Sequence, residues 1–493
     1  MLLLTLDDKS SKPMYQQLIE QIRLKIESRV LFPGEKLPST RRLADQLGIH
    51  RSTVATAYQE LWALGFLDLS PGALPRVRDR TRIATAQGRL ETGIVDWQQI
   101  VSPAAAAMWR TYRQNYLEGG QPDGQPVISF RTLSIDRRLF PIDSFRMCLD
   151  RAMKEQGAVL LGYGARFGYP PLREYIARRL QSHGISITPQ EILITNGSQQ
   201  GIDLVFRMIA APGKVVAIEA PTYDYVPPLL RFYGLTPLEI PVRPDGMDLS
   251  VLEAALQRER PSLVYTMPTF QNPTGISTGQ AHRERLLSLC ETYGVPILED
   301  GFEEEMKYCG RVVLPIKSMD RHRLVIYCGT FSKVLFPGVR IGWLAAEQEC
   351  LERLAAIQGF SELSPSMVLQ AAIHYFCQRG FYDHHVGRMH RVYRKRMEAA
   401  IRALRQQLSP EWAEWTAPSG GFIIWLKVKA PASAPGDWKG FFRERGIEVA
   451  IGNSFFFSGS ADTYLRLSIS ALNEAEIEEG IRRLGAALRQ LYT

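Results

Sequence analysis

The sequence predicts an α/β protein that carries a small helical domain at its N-terminus. After residue 126, short apolar runs alternate with helical stretches, and these runs are continuously apolar rather than alternating. Runs of this kind are typical of strands in a sheet that is covered on both faces. The first 80 residues instead show helical periodicity interrupted by Gly and Pro. A chain of 493 residues, 45% hydrophobic and 22% charged, has room for two or three domains.

Composition excludes several classes of protein. The net charge of +8 is moderate, but residues 1–92 hold 14 Lys and Arg against 10 Asp and Glu, so half of the excess lies in less than a fifth of the chain. The six cysteines form no CxxC pair and have no metal-ligand spacing, which is typical of reduced cytosolic thiols. No apolar run reaches the length of a membrane span. We therefore expect a cytoplasmic protein without a metal site.

The N-terminal 80 residues predict a helix-turn-helix. Apolar residues at helical spacing indicate a helix over residues 14–30. Ser39 then caps a short helix over residues 40–47, which ends at Gly48, and a second helix covers residues 51–64. The second helix of such a pair can enter the major groove of DNA. Any pair of short helices shows the same pattern, so a purely structural interpretation stays open.

The residues that would touch DNA are polar or basic and lie near the start of the second helix. Small polar groups and arginine can contact base edges and phosphates. The candidates are His50, Arg51, Ser52, Thr53 and Thr56, with Arg41 and Arg42 on the preceding helix reaching the backbone. Residues 81–125, rich in Gln, Gly and Pro toward their end, predict an interdomain linker with a few helical turns over residues 104–116.

A second candidate site centres on Lys333. Residues 324–327 predict a buried strand, residues 329–333 its exit loop, and residues 339–344 the next strand. Lysine at the carboxyl end of a strand, partly desolvated, can form a Schiff base with an aldehyde. Thr330, Ser332 and Arg340 add two hydroxyls and a guanidinium, which suit a phosphate dianion. Aldehyde plus phosphate suggests pyridoxal phosphate, although a solvated lysine between strands is the simpler interpretation.

The ends of the other predicted strands favour the cofactor. These strands cover residues 192–195, 215–218, 263–266, 296–299, 324–328 and 339–344. They are followed by groups suited to separate parts of pyridoxal phosphate: a helix start for the phosphate at Gly197, Ser198 and Gln199, a ring stacker at Tyr223, an amide donor at Asn272, and a carboxylate for the pyridine nitrogen at Asp300. Taken singly, each is a turn, a core residue or a helix cap. Together, in this order, they predict a pyridoxal phosphate site.

Two resemblances extend this interpretation. Residues 33–44, 47–54 and 64–67 resemble the winged-helix domain of GntR-type bacterial regulators. That resemblance implies DNA contacts from Arg41, Arg51 and Thr53. The wing departs from the family, because residues 70–76 contain two prolines in place of a glycine-rich hairpin, and proline lacks an N–H donor.

Residues 126–493 resemble fold-type I aminotransferases of class I, which implies a large cofactor domain with a smaller C-terminal α+β part. By that resemblance Lys333 is the internal-aldimine lysine, Asp300 the pyridine partner, Asn272 the O3′ donor and Tyr223 the stacker. The phosphate would be held by Gly197, Ser198, Gln199, Thr330, Ser332 and Arg340, a ligand carboxylate by Arg466, and Tyr163 would come from the partner subunit of a dimer.

Two positions depart from the aminotransferase pattern. Phe302 stands where relatives usually carry a tyrosine that bonds O3′. Arg166 lies in a Gly-Ala-Arg-Phe segment that replaces the usual Gly-Asp-Pro, and it faces either the ligand or the partner subunit.

Together, the two resemblances are typical of the MocR subfamily of regulators. They imply a DNA-binding domain at residues 12–80, a linker at 81–125 and an effector and dimerisation domain at 126–493. We therefore expect a regulator that binds promoter DNA and senses an amino compound through external-aldimine formation, or senses pyridoxal phosphate itself. A working aminotransferase with an appended DNA-binding domain is the alternative, because its lysine, aspartate and arginine are all present. A plain interaction module, which would bind no cofactor, is a third interpretation.

Overall fold

The computed structural model describes residues 4–7, 10–79, 95–114, 127–308, 313–431 and 434–492. The chain divides into two compact units, Met1–Ile100 and Val101–Thr493. In the described ranges, no helix has both the length and the apolarity that crossing a membrane requires.

The first unit is a small helical domain closed by a two-stranded hairpin. Its elements are α1 (Met14–Glu27), α2 (Thr40–Leu47), α3 (Arg51–Ala63), β1 (Leu67–Asp68), β2 (Arg76–Val77) and the short α4 (Trp97–Ile100). Ser39 caps α2 by accepting a hydrogen bond from the Arg42 N–H, and Gly48 ends the helix with φ 66°. The first helix ends three residues earlier than the periodicity predicts. Leu18, Val54 and Leu61 pack in the core of this unit.

The hairpin provides the wing. Leu67 pairs with Val77 and Asp68 with Arg76 in an antiparallel ladder, and Lys36 bridges to Arg76. Arg78 Nε donates to Asp68 Oδ1 at 2.6 Å across the base of the hairpin. Two helices with a hairpin after the second helix make the winged helix-turn-helix.

The second unit is a three-layer α/β domain with a smaller C-terminal α+β part. Its helices are α5 (Pro103–Tyr112), α6 (Ile142–Leu160), α7 (Pro170–Ser182), α8 (Ser198–Ile209), α9 (Val226–Phe232), α10 (Leu249–Arg258), α11 (Gln280–Tyr293), α12 (Ile316–Met319), α13 (Gln348–Glu362), α14 (Met367–Gln378), α15 (Phe381–Gln407), α16 (Trp438–Arg443) and α17 (Glu474–Tyr492). Short 3₁₀ turns lie at Arg137–Leu139, Pro189–Glu191, Glu304–Met306, Pro337–Val339 and Gly452–Phe455.

An eight-stranded sheet organises the larger part of the second unit. The strands of the unit are β3 (Ile128–Ser129), β4 (Ile192–Thr195), β5 (Val215–Ala220), β6 (Thr236–Arg243), β7 (Gly246–Met247), β8 (Leu263–Thr266), β9 (Ile297–Asp300), β10 (Val325–Thr330), β11 (Gly342–Ala345), β12 (Ala413–Trp415), β13 (Ile423–Val428), β14 (Ile447–Glu448), β15 (Ala450–Ile451) and β16 (Thr463–Ser468). The order in the large sheet is β4-β11-β10-β9-β8-β5-β6-β7. Strands β10, β9, β8, β5 and β6 run parallel, whereas β11 is antiparallel to both of its neighbours. Strands β4, β8, β9, β10 and β11 are buried throughout, as their continuous apolar runs predict.

Two boundaries near Lys333 differ from the sequence prediction. Strand β10 extends to Thr330, because Gly329 and Thr330 pair with Trp343 and Gly342 of β11, so the exit loop begins only at Phe331. The strand predicted from residue 339 begins at Gly342, since Pro337–Val339 form a 3₁₀ turn and Arg340 has φ 47°. Lys333 still lies in the loop that follows a parallel strand.

The C-terminal part is built on a four-stranded antiparallel sheet of order β12-β13-β16-β15, with β14 pairing separately with β3. Helices α15 and α17 pack against each other in the core that this part shares with the large sheet. The C-terminal sheet carries Arg466 on β16, opposite Trp425 and Ala450.

Candidate functional site

Lys333 lies in the wall of a large cavity. The cavity has a volume of about 1010 Å³, and Lys333, Tyr223, Arg131 and Arg466 lie in its wall. Lys333 Nζ donates to the Leu133 carbonyl at 3.0 Å. Burial lowers the pKa of Lys333, because desolvation disfavours the ammonium form. A neutral amine facing a cavity is the form that attacks an aldehyde.

Asp300 lies at the carboxyl end of β9, next to β10 in the sheet. Tyr265 Oη donates to Asp300 Oδ2 at 2.9 Å. Within the described ranges, Asp300 Oδ1 has no hydrogen-bond partner of good geometry, although the Phe302 N–H acts on the carboxyl and the residue is only 2% exposed. Burial raises the pKa of Asp300 to about 6, against the opposing effect of the Tyr265 hydrogen bond. A buried carboxyl with one vacant acceptor suits a protonated ring nitrogen.

Asn272 and Arg466 are joined directly. Arg466 Nη1 donates to Asn272 Oδ1 at 3.0 Å, and Nη2 donates to the Arg131 carbonyl at 2.7 Å. Because the Asn272 oxygen accepts from arginine, its NH₂ group is left to donate elsewhere. The Arg466 guanidinium also lies over the Phe455 ring, at 4.9 Å from its centroid. These contacts hold the guanidinium in a fixed orientation at the cavity wall.

The turn that carries Asn272 is held from behind by buried polar groups. Gln271 Oε1 accepts from the Thr274 N–H at 3.0 Å, and Gln271 Nε2 donates to the Pro221 carbonyl at 2.7 Å and to Glu219 at 3.1 Å. Burial raises the pKa of Glu219 to about 7, and the Thr266 hydroxyl donates to it at 2.6 Å. This network fixes Asn272 relative to β5 and β8.

Tyr223 supplies an aromatic wall. Its ring stacks on Tyr225 with centroids 5.3 Å apart and an interplanar angle of 26°. Both rings line the cavity. Burial raises the pKa of Tyr223 well above its ordinary value, so the phenol stays neutral. A neutral, ordered ring is suited to stacking on a flat heterocycle.

Residues predicted to hold the phosphate lie together at the start of α8. Gly197 has φ 84°, a conformation that favours glycine, and a Cβ there would lie 3.0 Å from Arg340 Nη2, so a larger residue would displace the guanidinium slightly. Ser198 and Gln199 open the helix, whose N-terminus favours an anion. The buried Ser332 hydroxyl has no partner among the described residues.

Thr330 plays a local structural part in the same loop. Its hydroxyl donates to the Ile341 carbonyl at 3.2 Å and accepts from the Ser332 N–H at 3.1 Å. A phosphate contact from Thr330 stays a prediction.

These groups fit pyridoxal phosphate. The orphaned Asp300 Oδ1 matches the pyridine nitrogen, and the orphaned Ser332 hydroxyl together with Arg340 and the N-terminus of α8 matches the phosphate. Lys333 and Tyr223 lie in the wall of the same cavity. The arrangement can therefore hold a phosphorylated aromatic aldehyde beside an amine nucleophile.

Three residues singled out from the sequence lie elsewhere. Tyr163 is 87% exposed, and Arg166 is exposed. Neither lies in the cavity wall of this chain. Phe302 is buried beside Tyr327 in a separate small cavity. Position 302 therefore contributes no hydroxyl to the site.

The residues predicted to touch DNA form one polar face of the first unit. Arg41, Arg42, His50, Arg51, Ser52 and Thr56 are exposed and Thr53 is half-buried. Arg51 Nε donates to Thr40 Oγ1 at 3.3 Å, and the His50 ring caps α3 by accepting from the Ser52 N–H at 3.3 Å. The structure brings all seven to the start of α3 and the exposed side of α2.

Sequence reasoning missed several polar residues of the cofactor site. They are the buried Tyr265, Glu219 and Glu303, in or beside the strand ends that the motifs mark, and the half-buried Arg131, whose carbonyl accepts from Arg466. Tyr265 and Glu219 interrupt apolar strand runs. A polar residue inside a strand that is predicted to be fully buried would have indicated both positions from the sequence.

The fold and site together define a pyridoxal-phosphate-dependent aminotransferase domain joined to a winged-helix DNA-binding domain. Comparison with known proteins agrees. The family of class I and II aminotransferases matches residues 141–484, and the gntR family of bacterial regulatory proteins matches residues 14–73. The chain belongs to the class I and II aminotransferase family, and it carries the GntR helix-turn-helix in front, as MocR-type regulators do.

Relatives of both kinds are similar to this chain. The HTH-type transcriptional regulator YdfD of Bacillus subtilis is 28% identical over 482 residues, which is 97% of each chain. A protein named MocR from Rhizobium meliloti is 27% identical over 493 residues, covering 99% of this chain and 96% of its own. The solved structure of LysN, the α-aminoadipate aminotransferase of Thermus thermophilus complexed with N-(5'-phosphopyridoxyl)-L-leucine, is 32% identical, covers 81% of this chain and 99% of its own, and has a TM-score of 0.74.

Proposed function

We propose that this GntR-type regulator binds promoter DNA through its winged helix and responds to an amino compound that enters the Lys333 cavity. Pyridoxal phosphate itself is the alternative signal, read as bound or absent. The observation that carries the proposal is the presence on one chain of an exposed basic and polar face at α3 and a fitted cofactor site around Lys333. The full-length similarity to regulators of the same architecture supports it.

The residues of the cavity have different roles in binding the ligand. Bound pyridoxal phosphate supplies an aldehyde carbon that primary amines attack reversibly. Lys333, whose pKa burial lowers, would hold the cofactor aldehyde and would give way to an incoming amine. Arg466, fixed by Asn272 and the Arg131 carbonyl, presents a guanidinium to a carboxylate. Asp300 favours a protonated ring nitrogen. An amino acid is therefore the simplest ligand for this site.

A homodimer is the proposed state of the regulator. Val159, Leu161, Tyr163, Phe360 and Leu363 are large and exposed, at 69–95% of their surface. The two segments that carry them lie together, because the Gly164 N–H donates to Ser364 Oγ at 3.3 Å. A contiguous apolar patch of this kind is typical of a protein interface. Seated in a partner, Tyr163 would reach the cavity that it does not reach in its own chain.

The test is a paired titration of the holoprotein against a panel of amino acids and amines. Visible absorbance reports on the cofactor, and the electrophoretic mobility of a promoter fragment reports on DNA binding. We expect at least one compound to change both at the same concentration. Arg466→Ala should lose both responses to carboxylate ligands, and Arg353→Ala, on the solvent side of α13, should lose neither. The proposal would be refuted if DNA binding changed neither with any of these compounds nor with the addition or removal of pyridoxal phosphate.

The second candidate is an active aminotransferase with an appended DNA-binding domain. Lys333, Asp300 and Arg466 favour it, as does the likeness to the α-aminoadipate aminotransferase of Thermus thermophilus. Sustained production of a keto acid by the holoprotein would identify the enzyme. A stable spectral change without product would identify the sensor.

A further inference from the structure

Glu362 is a half-buried acid at the end of α13 that the proposed function does not use. A carboxylate in the last turn of a helix opposes the helix dipole, because the C-terminal end of the helix is already negative. The next residue, Leu363, leaves the helical conformation with φ 57°. An acid held at this position therefore calls for a compensating contact.

That contact is made with the loop between β4 and α8. Asn196 Nδ2 donates to Glu362 Oε2, and Gln358 Nε2 donates to Glu362 Oε1 at 2.6 Å. Gln358 is 2% exposed, and its Nε2 also donates to the Ile194 carbonyl of β4 at 3.1 Å. Because a carboxylate can only accept hydrogen bonds, it fixes the orientation of both amides. Glu362 thus joins the end of α13 to the residues that lead into α8.

Asn196 also contacts an arginine that is predicted to bind the phosphate. Its carbonyl accepts from Arg340 Nη2 at 2.5 Å. The residue that follows is Gly197, and a Cβ on Gly342 of β11 would lie 2.6 Å from the Gly197 carbonyl carbon. The loop is therefore packed closely against β11, and the Asn196 side chain is its contact with Glu362.

We propose that Glu362 is a positioning residue for the phosphate site of pyridoxal phosphate. It acts through Asn196, because the Asn196 side chain contacts Glu362 while the carbonyl of the same residue contacts Arg340. Fixing Asn196 holds the Arg340 guanidinium and the start of α8 in one arrangement, so the phosphate does not have to order them when it binds. The proposal rests on the phosphate site predicted at Gly197, Ser198 and Arg340, and not on what the DNA-binding unit does.

The experiment compares how tightly the full-length protein, freed of cofactor, binds pyridoxal phosphate and pyridoxal, which lacks the phosphate. Visible absorbance reports both titrations, and the ratio of the two dissociation constants isolates the contribution of the phosphate. Glu362→Ala removes both acceptors and should weaken the binding of pyridoxal phosphate about tenfold, the order expected when a hydrogen bond to a charged group is lost. The affinity of this variant for pyridoxal should equal that of the wild type.

Further variants test whether Glu362 acts through Asn196. Asn196→Ala should show the same selective loss, and the double variant should bind pyridoxal phosphate no more weakly than Asn196→Ala alone. Glu352→Ala is the matched control, because Glu352 also accepts from a glutamine one turn earlier on α13, Gln348, at 3.0 Å, and both residues are exposed. This control should leave both affinities unchanged.

The outcomes separate the proposals. Equal or tighter binding of pyridoxal phosphate to Glu362→Ala would overturn the role of Glu362. An equal loss of affinity for both ligands would overturn it too, since a merely structural defect does not distinguish them. Losses that add in the double variant would overturn the action through Asn196. A wild type that binds pyridoxal as tightly as pyridoxal phosphate would instead refute the phosphate site itself. A wild type that gains no visible absorbance with either ligand would refute the cofactor role of Lys333.

Discussion

The hydrogen bond from Tyr265 to Asp300 should set the pH range over which the cofactor binds. Tyr265→Phe removes the hydroxyl that donates to Asp300 Oδ2 at 2.9 Å. A hydrogen bond to a charged group is worth about 1.5–3 kcal/mol, and about 1.4 kcal/mol corresponds to one pKa unit. The bond stabilises the carboxylate, so its loss should raise the pKa of Asp300 by about one to two units above its value of about 6.

The consequence for binding follows from the protonation state. With Asp300 in its proposed role as the charged partner of the ring nitrogen, binding should weaken about tenfold for each pH unit below the pKa of Asp300 in the cofactor-free protein. For the wild type, this weakening begins below about pH 6. In Tyr265→Phe it should begin one to two units higher, giving roughly two- to tenfold weaker binding at pH 7 and nearly equal binding at pH 9.

The assay is quenching of tryptophan fluorescence as cofactor-free protein is titrated with pyridoxal phosphate at several pH values. The cofactor phosphate and Lys333 titrate in both proteins, so the ratio of the two dissociation constants isolates Asp300. Tyr293→Phe, which removes a hydroxyl that accepts from Gln257 at 2.8 Å, is the matched control. Superimposable curves, or a ratio that is the same at every pH including 9, would refute the reasoning.

Three further predictions concern stability, DNA binding and assembly. Burial raises the pKa of Glu303 from 4.5 to about 8. The buried carboxyl therefore destabilises the cofactor-free fold increasingly as the pH rises from 4.5 to 8. Glu303→Gln should raise the unfolding temperature measured by calorimetry at about pH 9 and leave it unchanged at about pH 4.5. Arg51→Ala should weaken binding to a promoter fragment and reduce the slope of log K against log [salt] by about one. Arg23→Ala, which removes an arginine that is ion-paired with Glu27 on α1, should change neither the affinity nor the slope. Undiminished binding of Arg51→Ala in a filter assay would contradict the DNA role. Leu161→Asp should convert the proposed dimer into a monomer by light scattering, since it puts a charge on the exposed apolar patch, and an unchanged mass would count against that interface.

Local patterns in the sequence were enough for most of the fold. Ser39 and Gly48 mark both ends of α2, because capping and left-handed backbone depend on neighbouring residues alone. The continuous apolar runs likewise located β4 and β8 to the residue. Boundaries failed at Thr330 and Val339, where pairing with β11 and a 3₁₀ turn decide the ends of the strands. Pairing partners lie far apart in sequence, so periodicity does not report them.

The sequence by itself determined the domain architecture, the cofactor class and the strand ends that carry Asn272, Asp300 and Lys333. It could do so because residues at the ends of parallel strands meet at one edge of a sheet whatever the details of packing. Only the tertiary structure decided that Arg466 donates to Asn272, that Tyr265 donates to Asp300 and that Glu303 is fully buried. Such contacts join elements up to 194 residues apart, and their strength depends on burial, which exists only once the chain has folded.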